Sequence, residues 1–241
     1  MAAIIREHTV AIDLHTHSQA SPDGALTAAD YRRMLESGRL DYIAVTDHNT
    51  ADFALALKRD LEELGERIIV GEEIRTTHGE IIGLYLTETV PKLMSPQATI
   101  DAIRAQGGLV CIPHPFENVR RGMQKQALEP ISTQVDMMEV HNGRAVFQNK
   151  SKQAYAWAAL HGCVGVASSD CHAPDGWGRT RTRIAQPPTR ETLLGLLQDA
   201  EYDVRFPGVK AVLYPKLNKF RTRAARVRGK LGGRGRQGSG S

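Results

Sequence analysis

Five short apolar segments of the 241-residue chain are each followed directly by histidine, aspartate or glutamate. The residues that follow them are His15 and His17, Asp47 and His48, Glu73, His114, and Asp170 and His172. Imidazole and carboxylate groups together suit Zn, Mn or Fe, whereas a lone magnesium site would be built mostly from oxygen. The residue types at these positions therefore indicate a site for one of those metals.

The spacing of His15 and His17 adds a geometric argument. Side chains two residues apart in an extended segment point to the same side, so both imidazoles can bind one ion. The full set of ligands exceeds the capacity of one tetrahedral site, which indicates two or three clustered divalent ions (Mn, Fe or Zn). Such clusters bridge phosphoryl oxygens, generate hydroxide near neutral pH, and stabilise the entering and leaving oxygens.

The elements that must position these ligands alternate between apolar strands and amphipathic helices. Strands are predicted over residues 10–14, 42–45, 68–70, 81–86, 109–112, 137–140 and 164–167, and helices over residues 28–36, 53–64, 96–106 and 148–161. This alternation predicts βα units, a parallel sheet and right-handed crossovers. About seven such units favour a closed or nearly closed barrel, in which side chains that follow the strands converge on the C-terminal face.

The composition excludes several classes of protein. With 41% hydrophobic and 24% charged residues, the chain has the composition of a globular protein rather than a disordered or membrane-embedded one. No apolar run reaches the ~18 residues of a membrane span, and no secretory signal is recognisable at the N-terminus. Three cysteines without an export signal argue against a disulfide framework, and we expect a cytoplasmic location.

The net charge of +4 conceals an uneven distribution. Residues 204–241 contain eleven of the 31 basic residues and no acidic one, so their charge is +11, while residues 1–203 carry −7. We predict a barrel domain over 1–203 and a basic C-terminal segment over 204–241, with a helix over about 213–231 and a flexible end at 232–241. Three roles for this segment remain open: packing on the barrel, binding nucleic acid or another polyanion, and association with a membrane surface.

Seven motifs match one known family in order and in spacing. They are DLHTHS (13–18), SPDG (21–24), VTDHN (45–49), GEEI (71–74), PHP (113–115), EVHNGR (139–144) and SSDCH (168–172). The set resembles the PHP (polymerase and histidinol phosphatase) superfamily of metal-dependent phosphoesterases. The resemblance covers roughly residues 9–200 and implies an α/β fold, a distorted (β/α)7 barrel of TIM-like type, with a trinuclear metal centre at the C-terminal ends of the strands.

The resemblance also implies which residues hold each ion. The first ion would be held by His15, His17, Glu73 and Asp170. The second would be held by Glu73 and His114, and the third by His48, His172 and Asp23. Many members of the family place a metal-binding histidine just before an apolar strand where this chain has Glu80. Either Glu80 or His78 completes the second site, and a carboxylate there would shift its preference towards harder ions.

Three further residues are expected to contact the substrate or to position the ligands. Asp47 either donates a proton or orients a ligand imidazole, and the second role is favoured. Arginines in loops on the metal face suit a phosphate, since guanidinium makes bidentate contacts with its oxygens. Of Arg120, Arg121, Arg144 and Arg179, we expect Arg121 and Arg144 to bind the substrate.

The predicted function is metal-dependent hydrolysis of a phosphomonoester, or of the phosphodiester of a nucleotide or short oligonucleotide. The attacking hydroxide would form at the metal ions while an arginine fixes the phosphoryl oxygens. Two alternatives remain open. One is an amidohydrolase-like metallohydrolase acting on C–N or C–O bonds, and the other is a non-catalytic polyanion-binding module that uses the barrel as a scaffold.

Overall fold

The computed structural model describes residues 9–146, 148–216 and 218. Its nine strands are β1 (Val10–Asp13), β2 (Tyr42–Val45), β3 (Ile68–Thr76), β4 (Gly79–Leu84), β5 (Leu109–Ile112), β6 (Met137–Asn142), β7 (Val164–Ser168), β8 (Arg181–Ile184) and β9 (Glu201–Asp203). They form one sheet in the order β7-β6-β5-β4-β3-β2-β1-β8-β9. All seven predicted strands are therefore present, and two more extend the sheet beyond β1.

The helices begin and end at residues suited to those positions. They are α1 (Ala28–Glu36), α2 (Asp52–Asp60), α3 (Pro96–Ala105), α4 (Lys125–Leu128), α5 (Ser151–His161) and α6 (Leu193–Leu197), with 3-10 turns at Glu62–Arg67 and Glu129–Gln134. Before α1, the Thr27 hydroxyl accepts from the Asp30 amide and the Asp30 carboxylate accepts from the Thr27 amide, which is a capping box. These reciprocal bonds satisfy two backbone donors at the start of the helix and fix where it begins.

The strand directions are mixed. β1, β2 and β3 are parallel to one another, as are β5, β6 and β7, but β4 is antiparallel to both β3 and β5. The expectation of a parallel sheet is wrong at β4, because only Thr77 and His78 join it to β3, whereas a parallel connection needs a crossover of about a dozen residues. β8 and β9 continue the sheet by antiparallel pairing.

The sheet curves into a nearly closed barrel, and side chains join its two ends. The Thr182 hydroxyl on β8 accepts from the Ala167 amide of β7 at 2.8 Å and donates to the Ala167 carbonyl at 2.9 Å. The Tyr202 hydroxyl on β9 donates to the Gly165 carbonyl at 2.9 Å. This row of side-chain bonds is called the seam below. The barrel confirms the predicted fold class. Hydroxyl groups take the place of a backbone ladder between β7 and β8, and a backbone bridge between Thr16 and Cys171 joins the segments that follow β1 and β7.

Replacing Thr182 with valine should lower the free energy of unfolding by about 2 kcal/mol, because the buried amide and carbonyl of Ala167 would lose their partner. Urea unfolding monitored by circular dichroism measures the change. Thr182→Ser is the matched control because it keeps the hydroxyl, and it should stay closer to the wild type. Equal stabilities for the valine and serine variants would show that the hydroxyl does not close the barrel.

Two apolar clusters account for the core. In one, Ile43 and Val45 of β2 pack with helix residues that include Leu35 and Leu57. The other joins side chains from eight strands with α6, and its members include Ile12, Ala44, Ile69, Ile82, Cys111, Met137, Val166, Ile184, Leu193 and Leu197. Successive side chains of a strand point to opposite faces, so Ala44 faces away from Ile43 and Val45. The second cluster is thus the packed interior of the barrel.

The described part of the C-terminal segment is helical over residues 209–216 and at residue 218. The helix predicted over about 213–231 therefore begins earlier, at residue 209. The rest of that helix and the end predicted at 232–241 lie outside the described residues. Among the residues that the structure does describe, no helix has both the length and the apolar character needed to cross a bilayer.

Candidate metal centre

The structure brings all nine predicted metal ligands together at one end of the barrel. Six of them follow strands, namely His15 and His17 after β1, His48 after β2, His114 after β5, and Asp170 and His172 after β7. Asp23 lies in the loop after β1, Glu73 within β3, and Glu80 near the start of the antiparallel β4. Seven of the nine are buried, and His48 and Asp23 are partly exposed. The C-terminal strand ends therefore converge as the barrel topology requires.

Glu73 lies at the centre of the cluster. Its Oε2 atom is 2.9 Å from His48 Nδ1 and 3.3 Å from His17 Nε2. Its other oxygen, Oε1, is 2.9 Å from His114 Nε2. The two oxygens therefore face different imidazoles, which is the arrangement required of a carboxylate that bridges two ions.

One group of donors is formed by His15, His17 and Asp170. The Nε2 atoms of the two imidazoles face each other at 3.0 Å. Asp170 Oδ1 lies 3.7 Å from His15 Nε2 and 3.5 Å from His17 Nε2. Two facing nitrogens beside a carboxylate oxygen suit one shared cation, because a nitrogen lone pair on each ring can point at it.

A second group surrounds Asp23, in the loop after β1. Its Oδ1 atom lies 3.5 Å from the Nε2 atoms of both His48 and His172, yet it is buried and makes no hydrogen bond to any described residue. A buried carboxylate oxygen without a donor is costly unless a cation neutralises it. Gly24 allows this loop to fold back, since a Cβ there would lie 2.1 Å from the Ser18 carbonyl oxygen.

A third group contains His114, Glu73 and Glu80. Glu80 is buried, and its Oε2 atom lies 3.9 Å from His114 Nε2. His78 is exposed, with its Nδ1 atom 2.9 Å from the Thr77 hydroxyl. Of the two residues left open for this position, the structure places Glu80 in the cluster and His78 outside it.

The eight ligands other than Asp23 form four overlapping groups, in each of which three donor atoms lie within 4.8 Å of one another. The groups are His15, His17 and Asp170; His15, Glu73 and His114; His48, Glu73 and Glu80; and His17, His48 and His172. Because neighbouring groups share Glu73, His15, His17 or His48, the cluster suits two or three adjacent ions rather than separate sites.

The acid–base properties of the cluster reflect its burial. Burial and the neighbouring charge of Glu73 raise the pKa of Glu80 to about 8. Burial and the nearby His17 and Arg144 lower the pKa of His172 to about 3, which keeps its imidazole neutral. Although burial opposes it, the neighbouring imidazoles of His172 and His48 hold the pKa of Asp23 well below its usual range. Neutral imidazole and ionised carboxylate are the forms that bind metal ions.

The backbone is strained at two of the ligands. His114 and Asp170 have left-handed φ angles of 30° and 51°. Residues other than glycine adopt this region at a cost of about 1–3 kcal/mol, and such strain concentrates at functional sites. The His114 amide donates to Glu139 Oε2 at 2.7 Å, and Gly122 lies where a Cβ would be 2.1 Å from the His114 carbonyl oxygen. These contacts hold the His114 backbone in place.

The sequence analysis did not identify Glu139, in the middle of β6. Its Oε1 atom lies 2.8 Å from His15 Nδ1, and its Oε2 atom accepts from the Asn142 side chain at 2.9 Å. A carboxylate on the far nitrogen of a metal-binding imidazole fixes the ring and leaves the other nitrogen free to bind. The position of Glu139 in the EVHNGR motif, near a strand end, is the signal that could have revealed it.

Asp47, one of the three residues expected to be catalytic, is buried behind the ligands. Its carboxylate accepts hydrogen bonds from the Ser18 amide at 2.8 Å and from the Ser21 hydroxyl at 2.6 Å. The Ser21 hydroxyl in turn lies 3.1 Å from His17 Nδ1. This chain of bonds connects Asp47 to a ligand imidazole, which is the geometry of an orienting residue.

The arginines take different positions from one another. Arg144 Nη1 lies 3.2 Å from Asp170 Oδ1 and 3.3 Å from His172 Nδ1, whereas Arg121 is exposed at the edge of the site. Arg120 reaches deepest, with Nη1 2.6 Å from Asp170 Oδ2 and Nη2 2.6 Å from Glu117 Oε2. The structure therefore adds Arg120 to the two arginines expected there.

A cavity of about 400 Å³, called the metal cavity below, opens above the ligands. The basic side chains that line it are Arg75, Arg120, Arg121, Arg144 and Lys216. Lys216 and its neighbour Pro215 belong to the basic C-terminal segment, and the Asn218 side chain donates to the Gly24 carbonyl at 2.9 Å. The described start of that segment thus packs against the metal face.

Comparisons with known proteins agree with this geometry. The family model for the PHP domain matches residues 13–167. An uncharacterised protein of Methanocaldococcus jannaschii is 34% identical over 140 residues, which span 54% of this chain and 80% of that protein. A two-domain protein from Bacteroides vulgatus, described as containing a PHP-like metal-dependent phosphoesterase, has a TM-score of 0.65 at 20% identity and covers 88% of this chain and 70% of its own.

A third similar structure is an amidohydrolase from Chromobacterium violaceum with bound sulfate. Its TM-score is 0.55 at 17% identity, and the match covers 82% of this chain and 98% of that protein. At these levels of identity, both structures show a shared fold and leave the reaction open.

Proposed function

The chain belongs to the PHP domain family, and from that premise we propose that it is a metal-dependent phosphoesterase. Its substrate is a phosphomonoester, or the phosphodiester of a nucleotide or short oligonucleotide. One observation carries this proposal: six of the nine candidate metal ligands line a cavity whose walls also carry five basic side chains. An anionic group bound in such a cavity meets positive charge from several directions.

The donor set fits divalent ions, since the buried Asp23 oxygen lacks a donor and His15 and His17 face each other at 3.0 Å. His15, His17, Glu73 and Asp170 would hold one ion, Glu73, His114 and Glu80 a second, and His48, His172 and Asp23 a third. Bound there, such ions would activate water and neutralise charge on the phosphoryl oxygens. The choice among Mn, Fe and Zn is part of the proposal.

The chain's own residues bind and orient the phosphate. Arg144 borders the metal cavity, and its buried Nε atom makes no hydrogen bond to any described residue. A guanidinium in the wall of such a cavity can donate to phosphoryl oxygens. Arg121 and Lys216 add positive charge at the mouth. Behind the ligands, Glu139 and Asp47 hold imidazoles in the orientation that binding requires.

Metal analysis followed by a panel of substrates tests the proposal. We expect turnover of p-nitrophenyl phosphate, nucleoside monophosphates or 5′-phosphorylated oligonucleotides with Mn, Fe or Zn, and loss of that turnover after chelation. The proposal fails if no phosphoester is hydrolysed with any of these metals while an amide or ester panel is.

Asp47→Asn should weaken metal affinity by about 10- to 100-fold, because the asparagine would orient His17 less well through Ser21. Turnover at saturating metal should remain. Competition with a fluorescent chelator measures the affinity, and Asp60→Asn, at an exposed residue of α2, is the matched control. An unchanged metal affinity would argue against the orienting role of Asp47.

Lys216→Ala should raise KM for p-nitrophenyl phosphate about fivefold with little change in kcat, because an exposed charge at the mouth contributes equally to binding of substrate and transition state. The effect should shrink as salt is added. Lys210→Ala is the control, since Lys210 lies in the same helical segment but is exposed and does not line the metal cavity. If the two variants behave alike, Lys216 has no role in binding substrate.

An amidohydrolase activity is the second candidate, favoured by the structural similarity to the Chromobacterium violaceum amidohydrolase. The same panel distinguishes the two activities. Binding without turnover of any substrate would favour a polyanion-binding module.

Nucleic-acid binding by the basic segment, with a charge of +11 over residues 204–241, is a further part of the proposal. Such binding would weaken steeply with salt. A cytoplasmic location also belongs to the proposal, because Cys111, Cys163 and Cys171 are free and buried.

A further inference from the structure

A second cavity, called the groove below, adjoins the metal cavity and has a volume of about 900 Å³. The turn between β3 and β4, the start of α3, and α4 with the 3-10 turn after it form its walls. Arg75 and Arg121 line both the groove and the metal cavity. The two spaces therefore adjoin each other, and two guanidinium groups lie where they meet.

The groove differs in chemistry from the metal cavity. Its apolar side chains are Pro96, Ala127, Pro130 and Ile131. Hydroxyl, amide and imidazole side chains also line it, namely Thr76, Thr77, Ser95, Gln97, Asn118, Gln124, Gln126 and His78. Among the described residues of the lining, the carboxylate is Glu117, and Arg120 neutralises it at 2.6 Å. The lining thus offers apolar surface and neutral hydrogen-bonding groups, with positive charge confined to one end.

The size of the groove exceeds what a phosphate needs. Cavities of about 300–1,000 Å³ are typical sites for organic ligands of several rings. The metal cavity, at about 400 Å³, already has room for a phosphoryl group. A ligand in the groove would be uncharged over most of its length. Among the described residues of the lining, no unpaired carboxylate could neutralise a cationic ligand, and few basic side chains other than Arg75 and Arg121 could neutralise an anionic one.

We propose that the groove binds the alcohol part of the phosphoester, an uncharged organic group with a flat apolar face and hydrogen-bonding edges. This inference rests on the proposed function, since it places the phosphoryl group in the metal cavity and Arg75 and Arg121 beside the ester linkage. The apolar surface of Pro130 and Ile131 packs against the flat face, and the amides of Gln126 and Asn118 bond to the edges. The groove thereby selects esters with a ring-sized alcohol over esters with a small one.

Binding of two phosphonates tests the proposal without requiring turnover. Phenylphosphonate and methylphosphonate carry the same anionic group, and only the first has a ring for the groove. Calorimetric titration of the full-length, metal-loaded protein should give about tenfold tighter binding of phenylphosphonate. Gln126→Trp, which fills the groove from its exposed side, should abolish this preference. Lys125→Trp, at the neighbouring exposed residue outside the groove, should keep it.

Equal affinities of the wild-type protein for the two phosphonates would overturn the proposal, whether or not any variant folds. A preference that survives in Gln126→Trp would also overturn it, since the ring would then bind elsewhere. Failure of the proposed function looks different: phosphoesters would not be hydrolysed, while the preference for phenylphosphonate and its loss in Gln126→Trp would remain.

Discussion

Replacing Asp170 with asparagine should lower kcat/KM for p-nitrophenyl phosphate about 10³-fold and release at least one equivalent of bound metal ion. The Asp170 carboxylate lies within 3.7 Å of the facing nitrogens of His15 and His17, so its charge would contribute directly to an ion held there. Asparagine has nearly the same volume and tolerates the left-handed backbone at this position. Steady-state kinetics and metal analysis of the purified variant measure both effects.

Two other variants make that result specific. His15→Ala removes a different donor of the same group and should give a similar loss, with the circular dichroism spectrum unchanged. Asp199→Asn makes the same chemical change at an exposed residue and should behave as wild type. Wild-type metal content and turnover in both Asp170→Asn and His15→Ala would refute the assignment of the site.

Replacing Arg120 with methionine should lower the free energy of unfolding by about 3–5 kcal/mol. Arg120 pairs with two buried carboxylates, those of Glu117 and Asp170, each at 2.6 Å. Methionine keeps much of the apolar volume but leaves Glu117 without its partner, and an unpaired buried charge is expensive. Urea unfolding of the variant and the wild type, both with metal bound, measures the loss.

A double-mutant cycle separates the ion pair between Glu117 and Arg120 from the other contacts of Arg120. Glu117→Gln combined with Arg120→Met removes both charges, so the double variant should be more stable than the sum of the two single changes predicts. Additive losses would show that Glu117 and Arg120 do not stabilise each other. If Arg120→Met alone lowers the free energy of unfolding by less than about 1 kcal/mol, the ion pair between Glu117 and Arg120 behaves like an exposed one.

The convergence of the ligands could be predicted from the sequence because it depends on topology. His15, His48, His114 and Asp170 each follow an apolar strand, and parallel strand ends meet on one face whatever the details of the loops. The choice between His78 and Glu80 could not be predicted. It depends on the two-residue turn between β3 and β4, which leaves His78 at the exposed tip and directs Glu80 inward.

The strands β8 and β9 and the site residue Glu139 were not predicted from the sequence, for reasons that involve local geometry. β8 contains Arg181 and Arg183, which both bond to Asp203 of β9 at 2.8 Å, so neither strand has the apolar pattern by which strands are recognised. In β6 the register shifts between Glu139 and His141. The shift follows Glu139, so Glu139 still shares the inner face of β6 with Met137, and it was missed because it lies within a strand rather than after one.

The different positions of the consecutive residues Arg120 and Arg121 could not be predicted from the sequence either. Arg121 has a left-handed φ of 58°, and this turn in the backbone separates the directions of the two side chains. Arg120 is drawn inward to Glu117 and Asp170, while Arg121 stays exposed between the metal cavity and the groove. Residue type alone does not distinguish them, because both are arginines in the same loop.

The seam at Thr182 would give bound metal ions a second effect, on the dynamics of the barrel. Segments held by few hydrogen bonds open locally before the rest of a protein unfolds, and the seam is such a segment. His15 and His17 follow β1, beside β8, whereas Asp170 and His172 follow β7 on the other side of the seam. Ions shared by these residues would join the two ends of the sheet. Part of the free energy of chelation would then oppose local opening of the barrel, which would link metal loading thermodynamically to conformational rigidity.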